Sequence, residues 1–347
     1  MANLRFGLVG YGAWGSHHAR VIRETPGCEL RVVCAPSEPS RARAAEETGA
    51  EVVADYRELV SRSDIDVLDI VVPNYLHESI AVAGLESGKH VLLEKPMATT
   101  VAACDHMIEA ARKSGRVFLV GHEMRVSPLY CRMRQALGSG ELGEPRYALI
   151  DLWRRPYREG SGAWRLDPGR VGAWTLEEPV HFFDAAGWFL AQAGAPVTVY
   201  AHGASRAASE ALRTGMADHF TATVGYASGA YAVISQTLAA VEHHFSIKIF
   251  GSKAFLRAEW HAELDRSEHP AYSLEISRNG HMESLNVPGT PGEFYELKVE
   301  IAALASAIRQ SAPLPISPEE ARRAVELCLQ AQRSLETGEV VRLPFRS

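Results

Sequence analysis

Three short stretches of this 347-residue chain carry residue types at spacings suited to chemistry. In "GLVGYGAWG", Gly10, Gly12 and Gly15 spell G-x-G-x-x-G after an apolar run over residues 4–10 and at the start of a helical pattern. Glycines at those positions serve a tight turn, close backbone approach to a pyrophosphate, and helix–strand contact, while the helix N-terminus receives the negative charge. The predicted cofactor contacts are Gly10, Gly12, Ala13, Trp14 and Gly15; the alternative is a glycine-rich turn with packing value only. In "LLEKPM", Glu94, Lys95 and Pro96 close a second apolar run. A lysine at the carboxyl end of a buried strand, beside an acid and a proline, is poorly explained as a solubilising charge. A partly desolvated ammonium also exchanges its proton more readily with a substrate hydroxyl.

The third stretch, "WTLEEPVHFFD", places Glu177, Glu178, Pro179, His181 and Asp184 together. By itself it reads equally well as a helix start. Acids complement the helix dipole, and proline fits the first helical position. "VVPNYLH" adds Pro73, Asn74 and His77 where another strand ends, on the edge where α/β ligands sit.

These residues need a frame to hold them. Apolar runs at 4–10, 30–34, 67–72, 90–94 and 117–121 alternate with helical stretches at 16–24, 39–48, 77–87 and 99–114. The alternation predicts a parallel sheet with helices on both faces, an α/β Rossmann domain over 1–123. From 124 to 347 the pattern predicts an α+β domain. It has a helix over 128–138, a strand over 145–153, an Arg/Gly/Trp-rich loop over 154–174 and a helix from 179 to about 192. Strand-like alternation over 196–287 implies a large, mostly antiparallel open sheet. Helices over 293–310 and 318–337 close the chain, and they are candidates to pack back on the first domain.

The run at 30–34 is followed by "APSEPSRAR". Ala35 and Pro36 stand where an acid reading the ribose hydroxyls of NAD is expected. Ser37 and Arg41, with Arg43, suit a 2′-phosphate. Glu38 serves NAD if the loop is offset by two residues. The balance favours NADP slightly over NAD.

Net charge is −6, with no basic tract, which argues against nucleic acid as a partner. Five scattered cysteines without a C-x-x-C pair fit reduced thiols better than a disulfide framework. The sequence shows no signal peptide and no apolar run of about 18 residues, so a cytoplasmic location away from membranes is expected. Adjacent histidines at 17–18 and 243–244 point different ways and make poor metal ligands, so no metal site is expected.

Together, "GLVGYGAWGSHHARVI", "VVPNYLHESIAVAGLESGKHVLLEKPMATT" and "VGHEMRVSPLY" resemble the Gfo/Idh/MocA family of NAD(P)-dependent oxidoreductases, which includes glucose–fructose oxidoreductase and inositol 2-dehydrogenase. The resemblance implies that Lys95 matches the family's catalytic lysine. It also implies that the open sheet forms a homodimer or homotetramer interface. The family pattern D-x-G-x-H-x-x-D aligns with the third stretch. His181 takes the histidine position and Asp184 the final acid. Glu177 stands for the usual Asp and Pro179 for the usual Gly, which leaves open whether Glu177 or Glu178 faces substrate.

The reaction so implied is oxidation or reduction at a secondary alcohol of a sugar, sugar acid or cyclitol. His181 would act as base, since its reference pKa of about 6.5 lies near working pH. Glu177 would orient it, Lys95 would polarise the forming carbonyl, and the cleft between the domains is the expected site. Substrate contacts are expected from Lys95, Arg125, Trp164, Arg165, Glu178 and His181. Arginines 154, 155, 158, 165 and 170 can clamp an acidic sugar or simply pair with the chain's own acids. Two other readings stay open. One is a non-catalytic NAD(P)-binding regulator; the other is a sugar-processing enzyme whose tightly held cofactor is recycled within each turnover.

Overall fold

The computed structural model describes residues 2–205 and 214–343. The chain divides into two compact units. One holds Met1–Glu123 and Phe294–Arg322, the other Met124–Glu293 and Arg323–Ser347.

The first unit contains β1 (Leu4–Val9), α1 (Ala13–Glu24), β2 (Cys28–Cys34), α2 (Glu38–Thr48), β3 (Glu51–Val53), α3 (Tyr56–Ser61), β4 (Val67–Ile70), α4 (His77–Glu86), β5 (His90–Glu94), α5 (Val101–Ser114) and β6 (Phe118–Gly121). The strands form a six-stranded sheet in the order β3-β2-β1-β4-β5-β6, with every pair parallel. Parallel strands covered on both faces need apolar side chains on both, and Leu8, Val33, Val67 and Leu93 are fully buried. Strand order reverses at β1, so the carboxyl ends of β1 and its neighbours open the crevice where this architecture binds ligands. The edge strand β3 and helix α3 do not emerge from the sequence pattern, because three and six residues are too few to show a period. The run expected over 67–72 stops at Ile70, where the chain turns toward Pro73.

The second unit begins with α6 (Pro128–Gly138) and β7 (Pro145–Trp153), then α7 (Pro168–Val171) and α8 (Pro179–Phe189). The strands β8 (Pro196–Ala204), β9 (His219–Tyr226), β10 (Tyr231–Thr237), β11 (His243–Gly251), β12 (Ala254–Ala262), β13 (Ala271–Arg278) and β14 (His281–Ser284) follow. With β15 (Val341–Arg342) they complete a nine-stranded sheet, ordered β14-β13-β12-β11-β7-β10-β9-β8-β15. It is antiparallel except where β7 pairs with β10. Alternation puts Ile150, Ile234, Ile247 and Leu256 on a buried face. There α6 and α8 pack, with Tyr130 stacked on Phe189 and Phe182 against Phe245. The opposite face leaves Trp153, Tyr200 and Tyr231 exposed.

Two further helices, α9 (Glu293–Gln310) and α10 (Pro318–Thr337), have the bounds that the periodicity predicts. Helix α9 belongs to the first unit, where Phe294 meets the rings of Trp14 and His17. Among the described residues, no helix is long and apolar enough to cross a membrane, and no cluster of His, Cys, Asp or Glu could hold a metal ion.

Candidate active site

The glycine loop is built as its spacing demands. Gly10 has φ +104°, and a Cβ there would lie 2.1 Å from the Val71 carbonyl oxygen. A Cβ on Gly15 would lie 2.2 Å from the Gly10 oxygen, so the third glycine is what lets α1 start against β1. Gly12 differs. A Cβ there meets nothing within 4 Å, so its missing side chain leaves open space at the helix start. Gly12 is the N-cap of α1, offers no side-chain cap, and precedes a first turn without acids. The N–H groups of a helix start and the positive end of its dipole suit a bridging pyrophosphate, so the residues present fit the dinucleotide that the motif implies. Ala13 is exposed and Trp14 half-buried beside them.

At the end of β2, Ser37 caps α2 by accepting from the Ser40 N–H. Arg41 donates to the Ala35 and Pro36 carbonyls at 2.9 and 2.7 Å. Arg43 reaches back to the glycine loop, donating to the Tyr11 carbonyl at 2.8 Å and covering the Tyr11 ring. One guanidinium therefore sits at the β2–α2 turn and another on the glycine loop, while Glu38 is exposed in the first turn of α2.

At the end of β5, Lys95 is half-buried and its peptide with Pro96 is cis. The Lys95 N–H bonds Glu94 Oε2 at 3.1 Å. Glu94 Oε1 accepts from Trp14 Nε1 at 2.7 Å and lies 3.1 Å from His18 Nε2. Glu94 is thus the joint between the glycine-loop helix and the lysine. Burial opposes its charge, but His18, Lys95 and Trp14 hold it down to about 2. His77 is buried between the Pro96 and Val72 carbonyls, at 2.8 and 3.0 Å from its ring nitrogens, and burial lowers its pKa. It clasps the Pro73 turn to the Lys95 turn, and Asn74 is buried in the former.

In the second unit, Pro179 is the first residue of α8 and Glu178 its N-cap, without a side-chain cap bond. His181 is 1% exposed. The two acids have different partners. Glu177 Oε2 accepts from Arg165 Nε at 2.8 Å, and the Arg165 guanidinium lies over the Trp164 ring. Glu178 pairs with Arg154 and, at 2.9 Å, with His243. Arg154 also faces Asp265 and stacks on Tyr157. Trp164 is buried with Trp174, Val171, Met216 and Leu238, so it belongs to the core that anchors the 154–174 loop. Arg125 is nearly buried and holds Asp184 through two 2.7 Å bonds, with its guanidinium over Trp188.

Most members of these pairs stand out in the sequence, but which partners which does not. Arg154, His243 and Asp265 lie far apart in the chain and share no spacing signal. Asp69 and Glu300 were missed, and His18 was weighed only as a metal ligand, although a polar residue on the buried stripe of a helix is a readable sign. Glu296 and Glu300 sit four apart among Leu297, Ile301 and Leu304.

Comparison with known proteins agrees with the fold. Residues 4–122 match the oxidoreductase family with an NAD-binding Rossmann fold, and residues 130–257 match the GFO/IDH/MocA C-terminal domain. Inositol 2-dehydrogenase of Salmonella typhimurium is 32% identical over 202 residues, 57% of each chain. The 1,5-anhydro-D-fructose reductase of Ensifer adhaerens is 26% identical over 343 residues, 98% of each. The chain spans about half to three-fifths of the length of the curated relatives it matches at 30% identity or more. The crystal structure of aldose-aldose oxidoreductase from Caulobacter crescentus shares the fold, with a TM-score of 0.85 over 98% of this chain and 100% of that one at 19% identity. With both its Rossmann segment and its C-terminal segment matched, the chain belongs to the Gfo/Idh/MocA family of oxidoreductases.

Proposed function

We propose that this protein is an NAD(P)-dependent dehydrogenase or reductase acting on a secondary alcohol of a cyclic polyol, either a sugar or a cyclitol. The carrying observation is the tie from the glycine-loop helix through Glu94 to Lys95 at one edge of the parallel sheet. Cofactor contacts are assigned to Gly10, Gly12, Ala13, Trp14, Gly15, Ser37, Arg41, Pro73, Asn74, His77, Glu94 and Lys95. When bound, the nicotinamide accepts or returns the hydride. Lys95 polarises the carbonyl oxygen, His181 takes or gives the hydroxyl proton, and Glu177 stabilises the charged imidazole. The matched relatives include an inositol dehydrogenase and an anhydrofructose reductase, which supports a cyclic polyhydroxylated substrate.

A neutral substrate fits better than an acidic one. Arg154, Arg155, Arg165 and Arg170 each face a carboxylate of their own unit, in Glu178 and Asp265, Glu263, Glu177 and Asp167 respectively. An arginine already neutralised has less charge to offer a sugar acid. NADP is favoured by Arg41 and Arg43 beside the β2–α2 turn. The exposed aromatics on the open sheet face favour a homodimer or homotetramer through that face. The test is a screen of neutral sugars, cyclitols and uronic acids with NAD and NADP, read by formation of reduced nicotinamide. No reduced nicotinamide with any polyol rejects the assignment, and a preference for uronic acids rejects the neutral substrate.

A further inference from the structure

His18 lies in α1, is fully buried, and is not needed by the proton transfers above. Its Nδ1 is 2.8 Å from Asp69 Oδ2 and its Nε2 is 3.1 Å from Glu94 Oε1. A neutral imidazole carries a single N–H, so it can donate to only one of two carboxylates. Glu94, the acceptor on the second side, also bonds the Lys95 N–H. We propose that His18 is a permanently charged positioning residue, whose imidazolium bridges Asp69 and Glu94 and so fixes the turn that presents Lys95. The link to turnover rests on the reading of Lys95 as catalytic; the charge state of His18 does not.

Titratable groups reach the cluster from three elements besides α1. Asp69 comes from β4, Glu94 and Lys95 from the end of β5, and Glu296 and Glu300 from α9. A Cβ on Gly121 would lie 3.5 Å from Glu300 Oε2 and 3.6 Å from Glu94 Oε1, so both carboxyls border the same point. Burial pushes Glu300 well up, as does the neighbouring Glu94 charge. Burial also raises Asp69, against the pull of His18. Burial disfavours the His18 charge, but Asp69 and Glu94 hold it up at about 10. With His18 charged and Glu94 ionised, the cluster is a fixed charge arrangement at neutral pH and not a proton relay.

The experiment is long-range 1H–15N NMR of the cofactor-free protein labelled with 15N-histidine, between about pH 6 and about pH 9. His18→Gln identifies the signal by its loss. Both His18 ring nitrogens are expected to remain protonated across the range. A neutral tautomer at pH 8 overturns the proposal; where His18→Gln fails to fold, Glu94→Gln identifies the same signal by the shift of its Nε2. Positioning is read separately by hydrogen exchange. The Lys95 amide is expected to exchange about tenfold faster in Glu94→Gln, the loss of roughly one charge-assisted hydrogen bond. In His18→Gln, which lies outside the assigned cofactor contacts, kcat falls about a hundredfold while KM for the cofactor stays within a few-fold, because a displaced catalytic group costs rate more than binding. Unchanged exchange and unchanged kcat overturn the positioning role. A parent protein without dehydrogenase activity counts against the reading of Lys95 and leaves the NMR and exchange results to decide His18.

Discussion

Arg165 Nε donates to Glu177 Oε2 at 2.8 Å, so the acid that replaces the family's usual aspartate carries an arginine partner of its own. The extra methylene of glutamate extends the carboxylate toward the 154–174 loop, where Trp164 backs the guanidinium. Glu178 faces elsewhere, toward Arg154 and His243. The proposed role of Glu177 is support of His181, and kinetics of the two acids test it. Glu177→Gln is expected to lower kcat by about ten- to a hundredfold, within the range for loss of support to an acid–base group. Steady-state kinetics check this, with Glu178→Gln as the comparison. A larger kcat loss in Glu178→Gln reverses the assignment.

Arg125 and Asp184 form a pair in which each side chain is 4% exposed. Arg125→Ala would leave a buried carboxylate without its countercharge, a loss of about 3–5 kcal/mol. Urea denaturation of the variant measures it. A cost under about 1 kcal/mol would mean that water reaches Asp184 and that the pair is not a structural anchor.

Much of this arrangement was readable in the sequence. The strand–helix alternation, the glycine loop and the Glu94–Lys95–Pro96 turn are local patterns of a few residues, and local patterns survive folding. The helices over 128–138, 293–310 and 318–337 carry clear periods and begin where expected. The partners of Glu177, Glu178 and Asp184 could not be read. Arg165, Arg154, His243 and Arg125 reach them only through tertiary packing, and no spacing rule pairs an arginine at 125 with an aspartate at 184. Arg125 and Trp164 illustrate the limit. Their types suit substrate contact, yet the structure places one in a buried ion pair and the other in an aromatic core.

The three glycines of the loop are expected to respond differently. Gly10→Ala and Gly15→Ala drive a Cβ into backbone oxygens, so both lose stability as well as cofactor binding. Gly12→Ala has room in the free protein and is expected to keep its Tm while weakening cofactor binding by about tenfold or more, since the methyl occupies the pyrophosphate approach. Thermal melts with and without cofactor separate the cases. A large drop in the Tm of cofactor-free Gly12→Ala contradicts the assignment of that space.

Stability should also depend on pH through His18. Its folded pKa, about 10, lies above the unfolded value of about 6.5, so the folded chain keeps a proton that the unfolded chain has lost. The contribution is fully present below the unfolded value and declines as pH rises through the folded one. Chemical denaturation at a series of pH values is expected to show stability falling toward about pH 10, with a shallower slope in His18→Gln. Equal slopes would place His18 uncharged in the native state.

Cofactor choice is open to a direct comparison. Arg41→Ala and Arg43→Ala are expected to raise KM for NADP about tenfold, the loss of one charge-assisted contact, and to leave KM for NAD nearly unchanged. A parallel loss for both cofactors would assign the arginines to the shape of the turn alone.

Lys95→Met tests the central claim most directly. Methionine keeps the length and the apolar stem and removes only the ammonium. The measurement pairs cofactor binding, followed by quenching of intrinsic fluorescence, with turnover of the best polyol found in the screen. Binding retained within a few-fold, with kcat lowered about a thousandfold or more, is the predicted result. Turnover equal to that of the parent protein would contradict the account.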